Sequence, residues 1–256
     1  MSKVLIEKEG NVAVVYMNNL DKKNALDESL SSELLESIKK LAEDESIYVV
    51  ILTSAGDVFC AGGDIKEFAE GVELTALEHY SKKNINVDVL RIVDILKKPL
   101  IAAVSGYALG GGFGLVANAH IVVSHPDTRF GLTEINLGIL PYVIFPYVKR
   151  AVGEREAILL TLMGKTISSQ EAYRIGLVHF IDENPLKKAK EIASQIAQKS
   201  PLILKLLMDM INVSHNPSSC ESEYLSLLRI VNFSAQDLKI GIESFLNKQK
   251  PQWKNK

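Results

Sequence analysis

Two glycine-rich turns carry the first chemistry legible in this 256-residue chain: Phe59-Cys60-Ala61-Gly62-Gly63-Asp64 and Gly106-Tyr107-Ala108-Leu109-Gly110-Gly111-Gly112. Glycine lets backbone approach a ligand closely, and a helix that starts just beyond such a turn offers free N–H groups and the positive end of its dipole. Either turn can bind an anion or a developing oxyanion, and either one alone can equally be tight packing that touches no ligand. Neither fits a phosphate loop, because Gly112 is followed by Phe113-Gly114 where a Walker loop needs Lys-Ser or Lys-Thr. Gly110, Gly112 and Gly114 also lie mid-chain at the wrong spacing for a dinucleotide fingerprint. His79, His120, His125, His179 and His215 make no HExxH or paired metal spacing, and no Gly-x-Ser-x-Gly elbow supplies a serine nucleophile. No metal is therefore expected.

The elements that must position these turns follow from hydrophobic period. Residues 4–7 and 12–17 are short β-branched runs separated by Glu9-Gly10-Asn11, the composition of a hairpin turn. Asp27 is placed to cap a helix whose Leu30, Leu34, Leu35, Ile38, Leu41 and Ala42 recur at threes and fours. Residues 49–53 read as a buried strand, and a longer helix ends at Leu96 with Val89, Ile92, Val93 and Leu96 on one side before Pro99 stops it. Buried-type strands recur at 100–104 and 121–124, with a small-residue helical segment at 115–119 between them. Strands alternating with helices in this order predict an α/β fold with right-handed crossovers. From Glu154 onward the pattern is helical, over 157–163, 169–175, 186–198, 201–213, 222–231 and 235–247, with a domain change placed near Ser200-Pro201. The expected division is thus 1–200 and 201–256.

Composition narrows the partners. Twenty-nine basic and 31 acidic residues mix along the chain, so no patch favours nucleic acid or an anionic membrane. No window approaches an uninterrupted apolar span, and the charged N-terminus lacks the core of a signal peptide. Cys60 and Cys220 form no disulfide framework, which suits a reducing, cytoplasmic compartment and a small-molecule partner.

Taken in order, Ala61-Gly62-Gly63-Asp64-Ile65-Lys66-Glu67, the run from Pro99 to Gly112, and Phe130-Gly131 through Glu134-Ile135 to Leu137-Gly138 resemble the crotonase (enoyl-CoA hydratase/isomerase) family. The resemblance continues through Arg150 and Gly153, Gly164-Lys165 with Ala172, Gly176-Leu177-Val178, and Phe245 to Pro251, covering nearly the whole chain. It implies an α/β spiral of ββα units with a helical C-terminal region used in trimer assembly, often a hexamer of two trimers. It implies an acyl-CoA thioester substrate, with coenzyme A as part of that substrate and no separate cofactor. The Gly63 and Gly111 N–H groups are then expected to hold the thioester oxygen, where two preorganised donors typically contribute about 10²- to 10³-fold each. Glu134 is the expected acid–base residue. The same resemblance lays Ala61, Gly63, Asp64, Ile65, Lys66 and Gly111 along the bound acyl-CoA, adds Lys22 and Lys23 as further contacts, and assigns Phe245 and Lys248 to an adenine pocket.

The sequence also departs from the family pattern. A typical hydratase of this kind uses two glutamates, one for water and one for the α-proton; the first position is Gly114 here. The segment Pro141-Tyr142-Val143-Ile144-Phe145-Pro146-Tyr147 replaces a glycine-rich turn and, with its surroundings, looks like bacterial methylglutaconyl-type hydratases. His120 stands where an aspartate is usual and reads as a helix-end packing residue. Hydration with Glu134 as proton carrier, isomerisation of a double bond by Glu134 alone, and a non-catalytic CoA-binding protein all remain open at this stage. For hydration, Gly114 is expected to leave space for water positioned by a distal carboxylate of the substrate.

Overall fold

The computed structural model describes residues 2–72, 88–213, 236–249 and 251–254. Strands β1 (Val4–Glu9) and β2 (Val12–Met17) form the expected hairpin, with Glu9 opposite Val12 and Gly10 turning the chain at φ 58°. Helix α1 (Glu28–Glu43) starts where Asp27 accepts the Leu30 N–H at 2.8 Å, and it buries Leu30, Leu34, Leu35, Ile38 and Leu41. β3 (Val49–Ser54) leads to α2 (Ile65–Val72). The expected long helix before Pro99 is, among the described residues, a 3₁₀ turn at Val89–Arg91 followed by α3 (Ile92–Leu96), which ends on Lys97 in the left-handed conformation. Its earlier part lies outside the described residues, as does the helix expected at 222–231.

Next come β4 (Leu100–Val104), β5 (Tyr107–Leu109), α4 (Gly111–Asn118), β6 (Ile121–Ser124) and β7 (Arg129–Gly131). A 3₁₀ turn at Glu134–Leu137 precedes α5 (Phe145–Val152), α6 (Glu154–Met163), β8 (Thr166–Ser168) and α7 (Ser169–Arg174). β9 (Phe180–Ile181), α8 (Pro185–Ile196), α9 (Pro201–Val213) and α10 (Gln236–Leu246) complete the described elements. The region after Glu154 is therefore not purely helical. β8 and β9 span three and two residues, too short to show the alternation that identifies a strand in sequence.

One sheet runs β1-β2-β3-β4-β6-β9 and a second runs β5-β7-β8. From β2 onward the larger sheet is parallel, so its central strands are apolar on both faces, as the unbroken VVIL and LIAAV runs require. On one face Val15, Val50, Leu52 and Ala102 pack with residues of α1, α3 and α4. On the other face Val14, Val49, Ile51 and Ile101 meet Ala189 and Ala193 of α8.

Candidate active site

The smaller sheet and its neighbours bring the two glycine turns side by side. Phe59 N–H donates to the Ser105 carbonyl at 3.0 Å, Cys60 N–H to Tyr107 at 2.9 Å, and Leu109 N–H to Cys60 at 3.0 Å. These bonds zip the segment after β3 to β5, so both turns reach the same point. Gly62 at φ 105° would drive a side chain to within 3.2 Å of the Leu109 carbonyl oxygen, and a methyl on Gly110 would lie 3.6 Å from the Gly62 α-carbon. Such backbone contact is open only to residues without a Cβ.

Gly63 and Gly111 stand on the half-buried side of this contact while Gly62 and Gly110 are buried. Gly111 begins α4, so its N–H is one of the groups a helix start leaves without an intrahelical acceptor. Among the described residues no backbone carbonyl accepts from the Gly63 or Gly111 N–H. Leu26 Cδ1 lies against Gly111, and the Phe68 ring of α2 occupies the place a side chain at Gly63 would need. Phe68 was not singled out by the sequence; its position four residues beyond Asp64, on the helix that follows the turn, is the only signal available there.

Glu134 arrives by the second sheet. Gly110 N–H donates to the Gly131 carbonyl at 2.9 Å, tying the second turn to the end of β7. Three residues later Glu134 opens its 3₁₀ turn, and its carbonyl accepts from Gly138 and Ile139. Its Oε1 lies 2.8 Å from where a Cβ on Gly110 would stand, and among the described residues its buried Oε2 has no hydrogen-bond partner. Burial lifts this carboxyl above its ordinary value of 4.5, and a bond from its own backbone N–H offsets only part of that. A buried carboxyl oxygen left unsatisfied destabilises the fold, and raised carboxyl groups in a cleft serve proton transfer.

The remaining residues are placed unequally. Ala61 is fixed by its N–H to the Lys23 carbonyl at 3.0 Å. Asp64 is buried and accepts the Lys66 N–H at 2.8 Å, turning the chain into α2. Lys22 reaches Asp64 at 2.6 Å and Asp27 at 2.9 Å. Its ammonium thus braces the Gly63 turn against the start of α1, and it holds the Asp64 carboxyl below the ordinary range. Ile65 and Lys66 are exposed on the first turn of α2. Lys248 is exposed at φ 53°, and the Phe245 side chain lies outside the described residues. Cys60 is buried beneath the turn, with its thiol pushed up to about 12 by burial, so it is no nucleophile at neutral pH. His120 accepts the Leu100 N–H on Nδ1 at 3.0 Å, in keeping with its reading as a packing residue. It borders a cavity of about 240 Å³ at the other end of α4, away from the glycine turns.

One expectation is overturned. Gly114 leaves no open space: a Cβ there would lie 2.5 Å from Ile144 Cγ2 and 3.1 Å from Leu90 Cδ2. The vacancy beside the glycine is filled by apolar side chains, so it cannot house a water held by a distal carboxylate.

Residues 7–256 match the enoyl-CoA hydratase/isomerase family. The chain belongs to that family. It is 34% identical over 259 residues to the short-chain-enoyl-CoA hydratase of Clostridium acetobutylicum, covering 98% of this chain and 97% of that protein. It is 32% identical to the 2,3-dehydroadipyl-CoA hydratase of Escherichia coli, with both chains covered in full. The solved enoyl-CoA hydratase of Bacillus anthracis superposes with a TM-score of 0.90 at 28% identity, over 99% of this chain and 100% of that one. The fold is accordingly the crotonase-type α/β spiral, and the chain is an enzyme of the enoyl-CoA hydratase type. Among the described residues no metal-binding group of three or more ligands occurs, and no helix is long and apolar enough to cross a membrane.

Proposed function

We propose that this enzyme hydrates an enoyl-CoA, with Glu134 as the one carboxyl group among the described residues that takes part in the chemistry. The observation that carries the reading is the buried Oε2, without a hydrogen-bond partner among the described residues, beside the two converging glycine turns. The thioester oxygen sits between the Gly63 and Gly111 N–H groups, which stabilise the negative charge that develops there. The protonated Glu134 gives its proton to the α-carbon while water oxygen bonds to the β-carbon. Water's spare proton passes to the other carboxyl oxygen, so Glu134 ends protonated as it began and both new bonds form on one face. Ala61, Asp64, Ile65 and Lys66 line the CoA arm together with Lys22, which firms the turn, while Phe245 and Lys248 contact the adenine. Coenzyme A enters only as part of the substrate.

A second reading is favoured by the apolar filling at Gly114: without a second carboxylate, Glu134 removes a proton from one carbon and returns it to another, shifting the double bond. Incubation with crotonyl-CoA, a 3-enoyl-CoA and 3-methylglutaconyl-CoA in heavy-oxygen water, read by mass spectrometry, separates the two. Incorporated label supports hydration of a simple or of a branched, carboxylated substrate. A moved double bond without label supports isomerisation.

The same reading places the enzyme in the cytoplasm, with residues 1–200 as the acyl-CoA core and 201–256 as a helical region for assembly into trimers or hexamers. Exposed Leu207 and Met210 on α9 support self-association through that region, since apolar side chains of this size favour cover. Sedimentation of the purified protein at a monomer mass overturns that part.

A further inference from the structure

Gly114 lies one helical turn beyond Gly110, whose carbonyl accepts its N–H at 3.0 Å. At 1.5 Å rise per residue the two are about 6 Å apart along the α4 axis. Gly110 meets the Glu134 carboxyl, and Gly114 meets the Ile144 side chain. What packs against α4 therefore changes from carboxylate to hydrocarbon within one turn. Ile144 is not free to swing away. It is 4% exposed, and its carbonyl accepts from both Tyr147 and Val148 at 3.1 Å as α5 begins. Phe145 N–H is in turn tied to the Pro141 carbonyl at 2.8 Å. Leu90, equally buried, backs the same spot from the 3₁₀ turn before α3.

We propose that Ile144 is a specificity-determining residue: with Leu90 behind it, its branched side chain forms the wall facing the acyl chain just beyond the α-carbon, and so sets how large a β-substituent the site admits. The assignment rests on the thioester site proposed above. With the oxygen held at Gly63 and Gly111 and the α-carbon at Glu134, the next carbons run along α4 toward Gly114. A hydrocarbon wall there accepts apolar substituents, excludes carboxylates, and limits bulk through the volume of Ile144. One methylene more or less in such a pocket is worth on the order of 10- to 200-fold in discrimination.

The test uses binding of saturated thioesters, so that it does not depend on which reaction the enzyme performs. Dissociation constants of butyryl-CoA, 3-methylbutyryl-CoA and 3,3-dimethylbutyryl-CoA are measured by calorimetry for the wild type, Ile144→Ala and Ile144→Val. Expected is a wild-type preference for butyryl-CoA over the dimethyl compound that shrinks by at least about tenfold in Ile144→Ala, with Ile144→Val in between. Ile144→Val removes a single methylene and guards against an alanine variant that fails to fold. The same preference ratio in all three proteins, with butyryl-CoA still bound, overturns the proposal. Loss of binding of every thioester by the wild type would instead remove the acyl-CoA site on which it rests.

Discussion

Replacing Gly110 by alanine tests the contact between the second glycine turn and Glu134. Gly110 adopts φ 49°, ψ −119°, a backbone region that a residue with a Cβ occupies only at a cost of about 1–3 kcal/mol. The new methyl would stand 2.8 Å from Glu134 Oε1 and 3.4 Å from its carboxyl carbon. An ordinary contact requires the carboxyl group to retreat by roughly 0.6 Å, or the turn to do so. Either movement separates the proton carrier from the oxyanion donors, and a misplacement of about 1 Å is enough to cost on the order of 10²-fold in rate. Gly138→Ala is the control, because Gly138 also has positive φ, at 71°, but its Cβ would meet nothing within 4 Å. The strain there is about 1–2 kcal/mol. Both variants should melt a few degrees lower, at about 2–4 °C per kcal/mol for a protein of this size. In a steady-state assay on the enoyl-CoA that the wild type turns over, only Gly110→Ala should lose kcat, by about 10²-fold. Equal losses in the two variants, or full kcat in Gly110→Ala, would refute the argument that this contact sets the geometry.

Two further outcomes follow from charge. The Glu134 carboxyl is raised above its ordinary value in the fold, so its contribution to stability is fully present below pH 4.5 and is lost as pH rises through the raised value. Glu134→Gln should therefore melt higher than the wild type at neutral pH and lose that advantage below about pH 4 in a pH series of thermal scans. Asp27 behaves oppositely: burial pushes its carboxyl up, but the Leu30 N–H, Lys3 and Lys22 outweigh it and hold the group at about 2. Its stabilisation is present above the ordinary 3.8 and lost as pH falls through about 2. Asn still caps a helix, so Asp27→Asn should keep the Leu30 bond while losing the charge pairing and the oxygen that accepts from Asn19 Nδ2. The variant should melt lower than the wild type at neutral pH, and the gap should narrow in acid; a gap constant with pH would contradict this.

Much of this architecture was legible because local physics and tertiary structure agree. The Asp27 cap and the Leu30-to-Leu41 stripe need only the 3.6-residue period, and Gly10 between two β-branched runs needs only turn chemistry. Glu134 was legible through its register with Phe130-Gly131 and Leu137-Gly138, whereas its burial was not, because that depends on β7 pairing with both β5 and β8. Side-chain contacts between residues far apart in sequence escaped. Nothing in a sequence says that Lys22 meets a carboxylate 42 residues on, or that Ile144 fills the notch at Gly114. An isolated glycine in place of an acid reads as space until the neighbour that occupies it is seen. Strands of two or three residues such as β9 and β8 are invisible for a simpler reason: they are fixed by the sheet they join rather than by a pattern of their own.

Glu134 as proton carrier of an acyl-CoA site built from the Gly63 and Gly111 turns is tested by comparing wild type and Glu134→Gln for turnover of crotonyl-CoA and for affinity toward butyryl-CoA. In Glu134→Gln kcat should fall by about 10²- to 10⁴-fold, the usual worth of a positioned acid–base group, with affinity changed little. Turnover by Glu134→Gln within a few-fold of wild type, with the thioester still bound, would contradict it.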